Sequence, residues 1–281
     1  PMLLVGLDHG PRTAIIAGAS GVIVTGFSGG AVSGGMFAII HALPVWIIVR
    51  QALLKRTAED GKTEEWYPAG YILSILSVFG AGMLFTAMVW SLGEEGGLQG
   101  RIESYLDMIF TFMMPTVDEI ARGELVQAMS PLFPGYLGTS WVVMAAVNAT
   151  IALAILTRVQ RIERPKTKLA DLVLPDWSSW FLIVSAGVAL LGQGELEYFG
   201  RNLALILAVP FFFLGLAVVH SVARQVTFPG MLLAAFYIVL FLSGWIAMVV
   251  IAAGLVEQWV GLRQRFITPG PGQGTDDEDE T

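Results

Sequence analysis

Long runs without a charged side chain alternate along this chain with short charged connections. The uncharged windows cover residues 13–49, 69–93, 130–157, 177–194, 202–219 and 231–256. A helix of about 20 apolar residues crosses the hydrocarbon layer. Lipid offers exposed backbone no hydrogen-bond partner, so spans are helices or closed barrels, and these runs lack a barrel's period-two alternation. The pattern therefore predicts an all-α fold, a polytopic membrane helix bundle of about seven spans. Residues 13–49 would make a helix of roughly 55 Å, too long for one crossing, and Ser28-Gly29-Gly30 is the expected break. Between 93 and 139, Ile102, Tyr105, Leu106, Ile109 and Met113 recur at helical spacing, and beyond Pro115 come Val117, Ile120, Ala121 and Leu125. That predicts an amphipathic helical hairpin on the membrane surface.

Composition agrees with the class. The 281 residues are 55% hydrophobic and only 14% charged, against roughly 25% charged in soluble domains. There is no cysteine, which excludes disulfides and thiolate chemistry. Of the formal net charge of −7, the run Asp276, Asp277, Glu278, Asp279, Glu280 supplies five negatives. Residues 1–266 are accordingly expected to form one membrane-embedded helical domain and 267–281 a disordered acidic tail. Nothing is basic enough for nucleic acid. Arg50, Lys55, Arg56 and Lys62, and then Arg158, Arg161, Arg164, Lys166 and Lys168, place the connections 50–68 and 158–168 in the cytoplasm and the acidic 93–139 segment outside. Under that alternation Arg263 and Arg265 would emerge outside, against the rule, unless the last stretch doubles back at Ser243-Gly244.

Small residues mark the first helices, with Gly18, Gly21, Gly26, Gly30 and Gly34 near four-residue spacing. Such residues let helix backbones approach in lipid, either inside the bundle or against a partner. Polar residues within spans are costly and often mark sites. Asn148 is central in its span, as an interhelical hydrogen bond or a ligand contact. Glu195 and Arg201 crowd a short outer turn with Gln193, Glu197 and Asn202, as a pocket mouth or as a plain turn with a Glu197–Arg201 pair. His220 and Arg224 share a helix face near its cytoplasmic end, as a structural histidine and a headgroup contact or as part of a gate or partner surface.

Catalytic signatures fail on context. Gly26-Phe27-Ser28-Gly29-Gly30 fits G-x-S-x-G, but a nucleophile elbow follows a strand. Gly18-Ala19-Ser20-Gly21 and the same Ser28 segment also resemble the G-x-S-G of rhomboid intramembrane proteases, with His220 as the conceivable base. Gly61-Lys62-Thr63 has Arg56 where a phosphate loop needs its first glycine. His9, His41 and His220 have no metal-ligand spacing. No enzymatic activity, metal or cofactor is expected.

The opening, with Pro1, Gly6, Gly10, Pro11, Gly18 and Gly21, resembles the signature of substrate-binding S-components of energy-coupling factor vitamin transporters. PVWIIVRQALL, EWYPAG, LADLVLPDW, GRNLALILAVPFFFLGLAVVHSVAR and GLVEQWVGLRQRF resemble the YybS-like family of predicted bacterial membrane proteins, over roughly residues 1–266. That resemblance implies a multi-pass protein of the bacterial inner membrane with an S-component-like fold. It also implies small-molecule binding or transport with membrane partner subunits, and further apolar sequence ahead of Pro1. The alternatives are a membrane scaffold or regulator without ligand, and a rhomboid-like protease.

Overall fold

A computed structural model describes residues 1–58, 61–165 and 168–263. The expected acidic tail and Lys166 lie outside the described residues. The chain divides into two compact units, Pro1–Pro210 and Phe211–Thr281.

In the first unit, α1 (Met2–His9) ends at Gly10, whose φ of 95° only glycine adopts readily, and α2 (Pro11–Phe37) follows with proline in its first turn. Gly30 interrupts α2 with φ 84° and ψ 170°, and the chain folds back there. Gly34 faces Gly26, Gly21 faces Phe37 and Gly18 faces Ala42, each contact further from Gly30 on both arms. The apolar run is thus an antiparallel helical hairpin. The expected break is present, but Gly30 forms the reversal itself and has no atom within 4 Å of a would-be Cβ. Its expected packing role is corrected to a turning one. The returning arm passes through a π-helical turn (Ala38–Ala42) into α3 (Leu43–Ala52).

A two-stranded antiparallel ribbon, β1 (Lys55–Thr57) and β2 (Glu64–Trp66), leads to α4 (Ala69–Trp90). At the other end of α4, α5 (Gly97–Met113) and α6 (Glu119–Met129) form a hairpin. Asp118 caps α6 by accepting from the N–H groups of Ile120 and Ala121, and Arg122 pairs with Asp107 at 2.7 Å. The apolar stripe expected to face the membrane is split: Leu106 is buried, whereas Tyr105 and Met113 are exposed.

Next come α7 (Phe133–Arg158), α8 (Trp177–Leu191) and α9 (Glu195–Leu207). Gly80 of α4 lets Ile206 and Val142 meet it, since a Cβ there would lie 3.3 and 3.5 Å from their methyl groups. Gly200 packs α9 against the backbone of α8 at Ala189. Fully buried Leu76, Val142 and Ile206 form the α4–α7–α9 core.

In the second unit, α10 (Val209–Ala223) continues to α11 (Pro229–Leu242) and α12 (Trp245–Val260). Gly215 meets the backbone of Val250 and Gly254 that of Phe211, so α12 runs antiparallel along α10. A bend of 119° separates α11 from α12. Residues 231–256 are therefore not one straight helix: Ser243-Gly244 separates α11, of 14 residues, from α12, of 16.

The fold is an α-helical membrane bundle. Among the described residues, three helical stretches are long and apolar enough to cross a membrane, or up to five if each bent pair counts as one. The expected number of about seven is looser than the class: it took residues 13–49 as two pieces and α8 as a span, and α8 at 15 residues is shorter than a crossing helix.

Candidate functional site

The geometry singles out α7. Pro44 has no N–H, so the carbonyl one helical turn earlier, that of Ile40, loses its donor. The chain widens to a π turn at this point, with Leu43 N–H reaching back to Ala38. Trp141 of α7 fills the vacancy: its indole Nε1 donates to the Ile40 carbonyl at 3.1 Å, and its ring stacks on Phe79. This bond fixes α7 against the returning arm of the hairpin.

Below Trp141 a cleft of about 390 Å³ opens between α1, α3 and α7, with Leu4, His41, Pro44, Ile48, Asn148 and Ala152 in its wall. Asn148 is exposed, and its side-chain amide has no hydrogen bond among the described residues. An unpaired amide at that depth is costly in lipid. His41 is exposed too, its ring 5.2 Å from that of Phe37.

Glu195 and Arg201 do not join it. The Glu195 carboxylate accepts from the N–H groups of Leu98 at 3.0 Å and Gln99 at 3.4 Å, neutralising the positive end of α5. Arg201 pairs with Glu197 one turn away. Asn202 is wholly buried and accepts from Gly135 N–H at 2.7 Å while donating to the carbonyls of Pro131 and Tyr198. Asn148 lies about 20 Å further along α7 than Gly135 by helical rise. The expected pocket of Asn148, Glu195 and Arg201 is therefore not assembled. The carboxylate is used as a helix cap and the guanidinium as an ion pair.

His220 and Arg224 belong to the second unit. His220 Nδ1 is 2.9 Å from the Leu216 carbonyl and its ring contacts Tyr237, while Arg224 is exposed. Ser20 and Ser28 donate to the carbonyls of Ile16 and Val24 in their own helix, the ordinary use of serine in an apolar helix. Gly61-Lys62-Thr63 lies between β1 and β2. Among the described residues no group of three histidines or carboxylates could hold a metal ion. Gly18, Gly21, Gly26 and Gly34 lie in the seam of the hairpin, so their close approach is used within the chain.

One end of the first unit is tied by cations that the basic cluster in the sequence did not distinguish. Arg164, only 4% exposed, donates to the carbonyls of Ala52 at 2.7 Å and Tyr67 at 2.8 Å. It thereby gathers the end of α3 and the start of α4 onto the connection after α7, and burial lowers its pKa from the usual arginine value. Lys55 bridges Glu64 and Glu163; the hydrogen bonds it donates to these carboxylates raise its pKa. Arg161 donates to Asp8 at 3.1 and 2.8 Å, holding that carboxyl below its ordinary value. The two basic connections thus meet at one end of the unit, and the α5–α6 hairpin and Glu195 meet at the other.

A bundle of apolar helices, braced by buried polar bonds at its ends, defines a polytopic α-helical membrane protein. The chain matches the family described as predicted membrane protein (DUF2232) over residues 1–257, and it belongs to that family. No curated protein and no solved structure matches it.

Proposed function

We propose that this protein is a non-catalytic membrane subunit that acts by assembling with another membrane helix along α7. The observation that supports this reading is Asn148. A side-chain amide on an apolar helix, without a hydrogen-bond partner among the described residues, favours association through an interhelical hydrogen bond. The glycine seam of the first hairpin is already filled by its own arms, so α7 is the better docking face. The partner-subunit half of the S-component resemblance points the same way.

One observation favours a second reading, in which an S-component-like bacterial inner-membrane protein binds a small molecule for transport. The cleft beside α7 carries two polar side chains that have no hydrogen-bond partner among the described residues, Asn148 and His41, within apolar walls.

Extraction of the intact chain in mild detergent followed by native mass spectrometry separates the readings. Recovery of a complex of more than one polypeptide, shifted toward the single chain by Asn148→Leu, is the expected result. A single chain carrying a bound small molecule that Asn148→Leu releases would overturn assembly in favour of ligand binding.

A further inference from the structure

In the second unit, α11 has no buried residue. Leu233, Phe236 and Leu240, at helical spacing, are half-buried along one stripe, and its other side chains from Met231 to Leu242 are exposed. Phe241 is 90% exposed and Met231 71%. No charged residue occurs between Arg224 and Glu257, and on α11 only Tyr237 carries a polar side-chain group. A protein neighbour covers one side of a helix; a helix that is apolar on every side and exposed on most of them calls for an apolar medium. Its length nevertheless excludes a crossing. The 14 residues of α11 rise about 21 Å, against roughly 30 Å of hydrocarbon.

Both ends of α11 lie at one end of the α10–α12 pair. Gly215 meets Val250 and Gly254 meets Phe211. Continued in step, this antiparallel pairing brings Ser243 level with Val222, where α10 ends. The other end of α11, Pro229, follows α10 after the short connection 224–228. The His220 ring, in the last turn of α10, lies 5.9 Å from that of Tyr237, which holds α11 across this end. Irregular backbone exposed to lipid does not occur within hydrocarbon, and both Gln225 and Gly244 are exposed. The two breaks therefore reach water, and they reach it on the same side.

We propose that α11 is a re-entrant helix, which enters the hydrocarbon and leaves it through the same face of the membrane, with lipid acyl chains covering its exposed sides. The inference is independent of α7 and of what assembles there. It divides the last apolar run, residues 231–256, into a segment that returns to its own side and the helix α12 that runs back along α10. The stripe of Leu233, Phe236 and Leu240 is the side turned to protein, and the remaining sides are solvated by one leaflet.

The cysteine-free chain makes the test direct. Gln225→Cys and Gly244→Cys, the latter with open space for its side chain, are labelled separately by an impermeant maleimide in intact cells and in inside-out vesicles. Both should label from the same side and from that side alone. Met231→Cys and Ile238→Cys carry nitroxides in the reconstituted full chain, and these should be relaxed by oxygen but not by a water-soluble nickel complex. Labelling of 225 and 244 from opposite sides would make α11 a crossing helix and overturn the proposal. A residue 244 closed to the reagent from both sides would put the break inside the hydrocarbon and restore one bent span. Nickel access at 231 and 238 equal to that of a nitroxide at 225 would place α11 in water, and protection from both relaxing agents would mean that protein covers it; either result overturns the lipid contact.

Discussion

Trp141 donates its indole N–H to the carbonyl of Ile40, the group that Pro44 leaves without a helical donor. A local defect in one helix thereby becomes a specific attachment point for another, 101 residues later in the chain.

Trp141→Phe keeps most of the ring packing but strands the Ile40 carbonyl in an apolar setting. A loss of about 1–3 kcal/mol is expected, read as a lower melting temperature in detergent. Pro44→Ala restores an N–H one turn below Ile40, so Trp141→Phe should cost clearly less in that background. Equal costs in both backgrounds would show that the bond does not carry the contact.

Arg164 holds two carbonyls from separate segments with a planar fork that lysine cannot reproduce. Arg164→Lys should destabilise the protein by roughly 2 kcal/mol, and Arg164→Met by about 3 kcal/mol or more, because both carbonyls then lack a charged donor. Wild-type thermal stability of the lysine variant would contradict the two-carbonyl role.

A Cβ on Gly34 would lie 3.0 Å from the Val22 carbonyl and 3.1 Å from the Gly26 Cα, both backbone atoms that cannot rotate away. Gly34→Val should therefore cost about 1–3 kcal/mol by overpacking the seam. Gly30→Ala meets no neighbour, but its φ of 84° and ψ of 170°, a region essentially reserved for glycine, impose about 1–3 kcal/mol of backbone strain. Gly230→Ala, with open space and no positive φ, should be near neutral. If all three melted alike, the hairpin would not be the element that these glycines permit.

The Arg161 hydrogen bond lowers the pKa of Asp8 below its ordinary 3.8. A depressed carboxyl stabilises the fold above its unfolded pKa, and that contribution disappears as pH falls through the lower folded value. The stability gap between the wild type and Asp8→Asn should thus be constant near neutrality and close below about pH 4. Because the Arg161 side chain is exposed, added salt should narrow it. A gap that widened on acidification would reverse the assigned sign.

The class of protein, most helix positions and the break at Ser28-Gly29-Gly30 could be read from residue order, because they depend on short-range quantities. Apolar length against bilayer thickness dictates a crossing helix, and only glycine turns a chain sharply at positive φ. Asn148 also stood out, since any amide in a span is costly wherever the span goes. Partner choice was decided by the tertiary structure. Glu195 looked like the mouth of a pocket and is the cap of α5, while Arg164 was one charge in a basic run and is the buried tie between α3 and α4. Ser243-Gly244 left one long span or a doubling back equally open, and the packing of Gly215 on Val250 and Gly254 on Phe211 set α12 against α10. In each case an unsatisfied backbone group or a gap between helices was created by one segment and filled by another far along the chain. Residue order alone carries no distance between such segments; their packing supplies it.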